Sequence, residues 1–158
     1  IEKIISFASN KKKIELDELS SLINFSGDYR SETLVNECLC GNTQQYKKIV
    51  SELYTNTISQ ILLLRILANK VQRLLKIKGQ ETNSNNIESI INNLRPLIFW
   101  KEKPLIKKQL SIWSLKDLKK IIIKINSIEL LCKKNPNASK AIFFGFFLEI
   151  CTKANNFS

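Results

Sequence analysis

Apolar side chains recur at spacings of three and four along almost the whole chain, and a two-residue alternation persists nowhere. That period belongs to helices, so the pattern predicts an all-α helical bundle. The first helix is expected over Ile1 to Ala8, followed by the polar stretch Ser9 to Lys13. A second, with Asp17 near its start, turns Leu19, Leu22 and Ile23 inward and stops before Gly27, a residue suited to a left-handed C-cap. Gly and Asp interrupt the pattern at Ser26 to Arg30, which reads as a boundary. Ser31 then N-caps a helix through Leu34, Val35 and Cys38 to Gly41, and Asn42 or Thr43 caps the next, through Tyr46, Ile49, Val50 and Leu53. The two form a helical hairpin.

Thr57 opens the longest apolar-rich segment, Ile58 to Lys78, whose Ile61, Leu62, Leu64, Ile66, Leu67, Val71, Leu74 and Leu75 span more than one face. It is the expected central helix. A polar loop, Gly79 to Asn86, leads to a short helix over Ile87 to Leu94, stopped by Pro96. Between Arg95 and Pro104 two prolines bracket an irregular turn, and a helix with Leu105, Ile106, Leu110 and Trp113 follows. Ser114 and Asp117 have capping-box spacing ahead of a helix from Leu115 to about Lys134. Its apolar face is Leu118, Ile121, Ile122, Ile125 and Ile128, and its wet side is lysine-rich. Glu129 stands at the margin of that face, one turn before Lys133, as a local ion pair. After Pro136 and Asn137 the last helix runs from Ala138 to about Lys153.

Composition narrows the chemistry. No histidine occurs among the 158 residues, so an imidazole base, a His-ligated metal and a histidine pH switch are excluded for this chain alone. Four glycines at 27, 41, 79 and 145 are too far apart for a phosphate loop. The acidic cluster Glu15, Asp17, Glu18 and Asp28 sits on a polar helix and turn, where solvation is the default. No catalytic residue, metal site or cofactor is therefore expected. Cys38 and Cys40 lack zinc-site spacing, and with Cys132 and Cys151 they read as reduced, buried thiols of a cytoplasmic protein with no membrane span. The absence of Met, including at position 1, predicts a processed or truncated piece.

Charge points outward. The net +11 is uneven: Ile1 to Asn56 carries 7 basic and 8 acidic residues, and Thr57 to Ser158 carries 18 and 6. An acidic partner such as nucleic acid suits that excess. Yet Ile, Lys and Asn make up 60 of the 158 residues, a bias that an AT-rich genome imposes through its codons. Trp100, flanked by Lys101 and Lys103, has the make-up of a platform for single-stranded or junction DNA; the ordinary reading of such a pair is that Phe99 and Trp100 plug the core. In the last helix, Phe143, Phe144, Phe146 and Phe147 cannot all face one partner, because neighbouring residues point about 100° apart. An intersubunit surface is their second expected use.

The run Leu94-Arg95-Pro96-Leu97-Ile98-Phe99-Trp100-Lys101, then Gln109-Leu110 with Trp113-Ser114, then a helix closing in Ile128-Glu129-Leu130-Leu131-Cys132-Lys133, resembles the C-terminal region of the delta subunit of bacterial DNA polymerase III. Ile1-Glu2-Lys3-Ile4 and Ile14 to Leu19 are similar to the end of that family's small helical AAA+ lid domain. Leu34 to Gly41 is similar to the opening of its collar, and Ile61 to Arg65 to its long helix. The resemblance implies the end of a lid domain over residues 1–28 and a collar domain over 31–158. The implied role is a non-catalytic component of the polymerase holoenzyme, assembling with gamma or tau and delta-prime subunits in the clamp loader that places the sliding clamp on primed DNA. The family's clamp-opening N-terminal domain is not in this chain, so clamp contact is expected only through that missing part. The competing expectation is a stand-alone basic helical protein that binds nucleic acid.

Overall fold

The computed structural model describes residues 25–54, 60–81, 87–95 and 97–157. Among them are seven α-helices, two short 3-10 turns and no strand. The helices are α1 (Phe25–Leu39), α2 (Thr43–Tyr54), α3 (Gln60–Gly79), α4 (Ile87–Asn93), α5 (Lys103–Ile112), α6 (Leu115–Lys134) and α7 (Ser139–Phe157), with 3-10 turns at Trp100–Glu102 and Pro136–Ala138. The helix expected over Ile1 to Ala8, the part of the second expected helix that precedes Phe25, the acidic cluster's Glu15, Asp17 and Glu18, and the helix start at Thr57 and Ile58 lie outside the described residues.

The core is built on α3, which packs against α6, α1, α4 and α5, while α7 closes the bundle over α6, α1 and α2. Leu63, Leu64, Leu67, Val71, Leu74 and Ile77 of α3 meet Leu118, Ile121, Ile125 and Ile128 of α6 in one continuous cluster. A side chain of this size, fully buried, stabilises the fold by about 1.5–3 kcal/mol. One expected break in the helical pattern is corrected. α1 runs unbroken through Ser26 to Arg30, with Gly27 helical rather than left-handed and Ser31 buried at mid-helix instead of capping. Ser31, Leu34, Val35, Cys38 and Leu39 form one inward stripe.

The C-terminus of α1 accounts for each of its last four carbonyls. Cys40 N–H donates to Asn36 O, Asn42 N–H to Glu37 O and Gly41 N–H to Cys38 O, at 3.0, 3.0 and 3.2 Å. This is a Schellman ending, with Gly41 at φ +74°. The fourth carbonyl, of Leu39, accepts from Trp113 Nε1 at 2.8 Å, across 74 residues of sequence. Asn42 Oδ1 then accepts from Gln45 N–H at 3.2 Å and starts α2. Smaller shifts occur downstream. α5 begins at Lys103, two residues before Leu105, because Pro104 fits a first helical turn, where no N–H is needed. α7 reaches Phe157, past Lys153.

Candidate nucleic-acid and assembly surfaces

Trp100 stands where the chain passes from extended backbone into a single 3-10 turn. In the segment from Leu97 to Phe99 alternate side chains point apart, so Ile98 is buried while Leu97 and Phe99 face out. Glu102 N–H donates to Phe99 O at 2.9 Å and closes the turn. Trp100 is 67% exposed, so neither it nor Phe99 plugs the core. Their rings lie 5.8 Å apart, and Lys101 Nζ sits 5.3 Å from the Trp100 ring centroid, within cation–π range. Lys103 is different: its ammonium donates to Asn92 Oδ1 at 2.6 Å and ties the start of α5 to the end of α4. Of the three DNA-contact candidates, the fold thus presents Trp100 and Lys101 together and turns Lys103 inward along the surface.

The four phenylalanines of α7 are a correction. Phe143, Phe146 and Phe147 are buried inside this chain and Phe144 is half-buried, so they are not an intersubunit face. α7 can bury rings that point apart because α6, α1 and α2 cover it from several sides. Phe143 and Phe147 stack with centroids 4.5 Å apart, and Phe146 meets Phe147 edge-on at 6.1 Å. Two carbonyls of this stretch also accept from the opposite wall: Phe144 O from Tyr46 Oη at 2.8 Å and Phe147 O from Cys38 Sγ at 3.0 Å. Burial pushes the Cys38 thiol well up from its ordinary value, and the Tyr46 hydroxyl likewise. All four cysteines are free and buried.

The exposed apolar surface lies elsewhere. On the outer side of α6, Ile123 is 68% exposed and Leu130 59%, two turns apart on one row, with Leu131 beside them. Ile61 and Leu62 face out at the start of α3, which runs beside the end of α6. Between these rows Glu129 accepts from Lys133 at 2.6 Å, and that ammonium, with Arg65 of α3 adding, holds the Glu129 carboxyl below its usual range.

Polar seams tie the helices. Ser114 N-caps α6, accepting from Asp117 N–H at 3.1 Å while its hydroxyl donates to Asp117 Oδ2 at 2.5 Å. Asp117 Oδ1 in turn accepts from Lys153 of α7 at 2.7 Å. Lys153 and Ser114 together hold the Asp117 carboxyl low. Lys124 bridges to Glu149 in the same seam. Lys78 Nζ of α3 donates to Leu110 O at the end of α5, where helix carbonyls need a cation. Asn36 Oδ1 and Gln109 Nε2 are buried without partners and line a hollow of about 10 Å³. That is about the space of one water.

Sequence reasoning did not find a basic groove beside α3. Its floor and walls are Ile66, Asn69, Lys70, Gln72, Arg73 and Lys76 of α3, Leu94 and Arg95 beyond α4, and Glu32 and Glu102. The α3 members obey a three-and-four spacing, a signal visible in the sequence. The approach of Arg95, 19 residues past Lys76, is not. Among the described residues no cluster of His, Cys, Asp and Glu is arranged to hold a metal ion, and no helix is long and apolar enough to cross a membrane. No family model, curated protein or solved structure matches the chain.

Proposed function

We propose that this chain is the end of the lid and the collar of a clamp-loader delta subunit, working as an assembly module that holds delta beside gamma or tau and delta-prime on primed DNA. The observation that carries the reading is the outward apolar row of Ile123 and Leu130 with Leu131, Ile61 and Leu62 nearby. Side chains of this size, exposed among the described residues, fit a neighbouring subunit, and they take the place of the buried phenylalanines. The residues that carry the resemblance divide in keeping with this role. Leu110, Trp113 and Leu118 are core, while Leu97, Phe99 and Trp100 stand out beside Lys101, free to approach DNA.

The chain mixed with gamma or tau and delta-prime subunits of the same organism should elute as a stoichiometric complex by light scattering. Ile123→Glu with Leu130→Glu should keep the fold, since both side chains are exposed, and weaken assembly at least tenfold. A chain that stays alone, or a variant that assembles as well as wild type, overturns the reading. Trp100→Ala should leave assembly intact and weaken primer–template binding by the complex. The +12 carried by Thr57 to Ser158 favours a second reading, the stand-alone nucleic-acid-binding protein, which predicts binding by the chain with no partner present.

A further inference from the structure

We infer that the groove between α3 and the bend at Leu94 and Arg95 is a phosphate-tracking path for a single strand of nucleic acid, leading to the Trp100 edge. This rests on, and extends, the reading of that edge as a DNA contact. Two hollows make the groove. The first, of about 500 Å³, holds Lys70, Arg73, Lys76 and Arg95 against Glu32 and Glu102. The second, of about 600 Å³, shares Lys76, Leu94 and Arg95 and adds Gln80, Ser89, Ile90 and Asn93, with no carboxylate.

The charge in it is available. Arg73 is engaged with Glu102 at 3.3 Å, which fixes the groove wall to the turn that carries Trp100. Lys70, Lys76 and Arg95 have no carboxylate partner among the described residues. They are spread along α3 and the bend rather than gathered at one point, as a strand's regularly repeated charges require and a single free phosphate does not. From Ile66 to Gly79 the helix side runs about 20 Å at 1.5 Å per residue. That is room for a short single-strand site of roughly four nucleotides. Asn69, Gln72 and Asn93 add neutral donors suited to phosphate or base edges. In sequence the wall residues Leu94 and Arg95 lead to Phe99 and Trp100, whose exposed rings offer the stacking surface that such strands use.

The test uses the full chain and a fluorescein-labelled oligo-dT of about 16 nucleotides, followed by anisotropy over a range of salt concentrations. Lys76→Gln with Arg95→Gln, both exposed and outside the Arg73–Glu102 pair, should weaken binding and flatten the slope of log K against log salt by about 1.4, or ~0.7 for each phosphate no longer neutralised. Lys119→Gln with Lys120→Gln on α6 should leave the slope unchanged. The path is overturned by no binding at low salt, by an unchanged slope in the groove variant, or by equal flattening by the α6 variant, which would mean diffuse attraction. Displacement of the strand by thymidine monophosphate at matched phosphate also overturns it, in favour of a free-nucleotide site. Trp100→Ala separates the two readings, since it should weaken binding about fivefold or more with the slope kept. If it has no effect while the groove variant flattens the slope, the path stands and the Trp100 contact fails.

Discussion

Replacing Gly41 by alanine should be among the costliest single-methyl changes in the molecule. Gly41 sits at φ +74°, where an L-alanine costs about 1–2 kcal/mol. Space adds a second penalty. A Cβ at this position would stand 2.5 Å from Asn155 N and 2.8 Å from Ala154 C and Asn155 Cα. These are backbone atoms of α7, which cannot swing aside as a side chain can. Overpacking of this kind costs about 1–3 kcal/mol. The two together give roughly 2–5 kcal/mol, or a fall in Tm of about 4–20 °C for a chain of this size. Far-UV circular dichroism against heat and urea reads the change directly. Gly145→Ala is the matched control, because it lies inside α7 with nothing within 4 Å of the added carbon. It should gain up to about 1 kcal/mol from helix propensity. A Gly41→Ala protein melting within about 2 °C of wild type would refute the close approach of α1 and α7 at this turn.

Trp113→Phe orphans the Leu39 carbonyl and should cost at least about 1–3 kcal/mol. Because the chain has two tryptophans, the remaining emission then comes from exposed Trp100 and should be red-shifted and readily quenched by iodide; blue, protected emission would contradict the placement of Trp100. Asp117→Asn should lower stability at neutral pH by less than about 1 kcal/mol. The carboxyl is held low by Lys153, so its contribution is present above the ordinary Asp value of about 3.9 and is lost as pH falls through the depressed one. The gap between variant and wild type should therefore close in acid, and a gap independent of pH would remove the ion pair from the account.

Helix existence was written in local period, and so the faces of α3 and α6 and the Ser114 cap could be read directly. Leu118, Ile121, Ile125 and Ile128 all went inside as their spacing required. What failed was decided by neighbours distant in sequence. Gly27 and Asp28 carry local break signals, yet α1 runs through both. The phenylalanines of α7 seemed too many for one core because the number of helices packed around α7 is a tertiary fact. Trp100 was ambiguous for the converse reason: an aromatic beside lysines reads alike whether a wall forms over it or not. The groove needs Arg95 to come back against α3, which only the path of the loop after α4 decides.

The contacts between the two ends of the described chain have a consequence for how it is made. Tyr46 reaches a carbonyl 98 residues on, Cys38 one 109 residues on, and the end of α1 waits for an indole 74 residues on. Helices of a small bundle often find their partners locally, and fast folding follows from that. Here α1 and α2 are synthesised without the wall that receives their polar groups. At elongation rates of about 5–20 residues per second, the roughly 120 residues from the end of α1 to the end of α7 take about 6–24 s. During that interval the part of the α1 stripe that α7 covers lacks its cover. The last helix acts as the latch of the fold, and premature termination anywhere before it would release a chain whose earliest helices have no place to close.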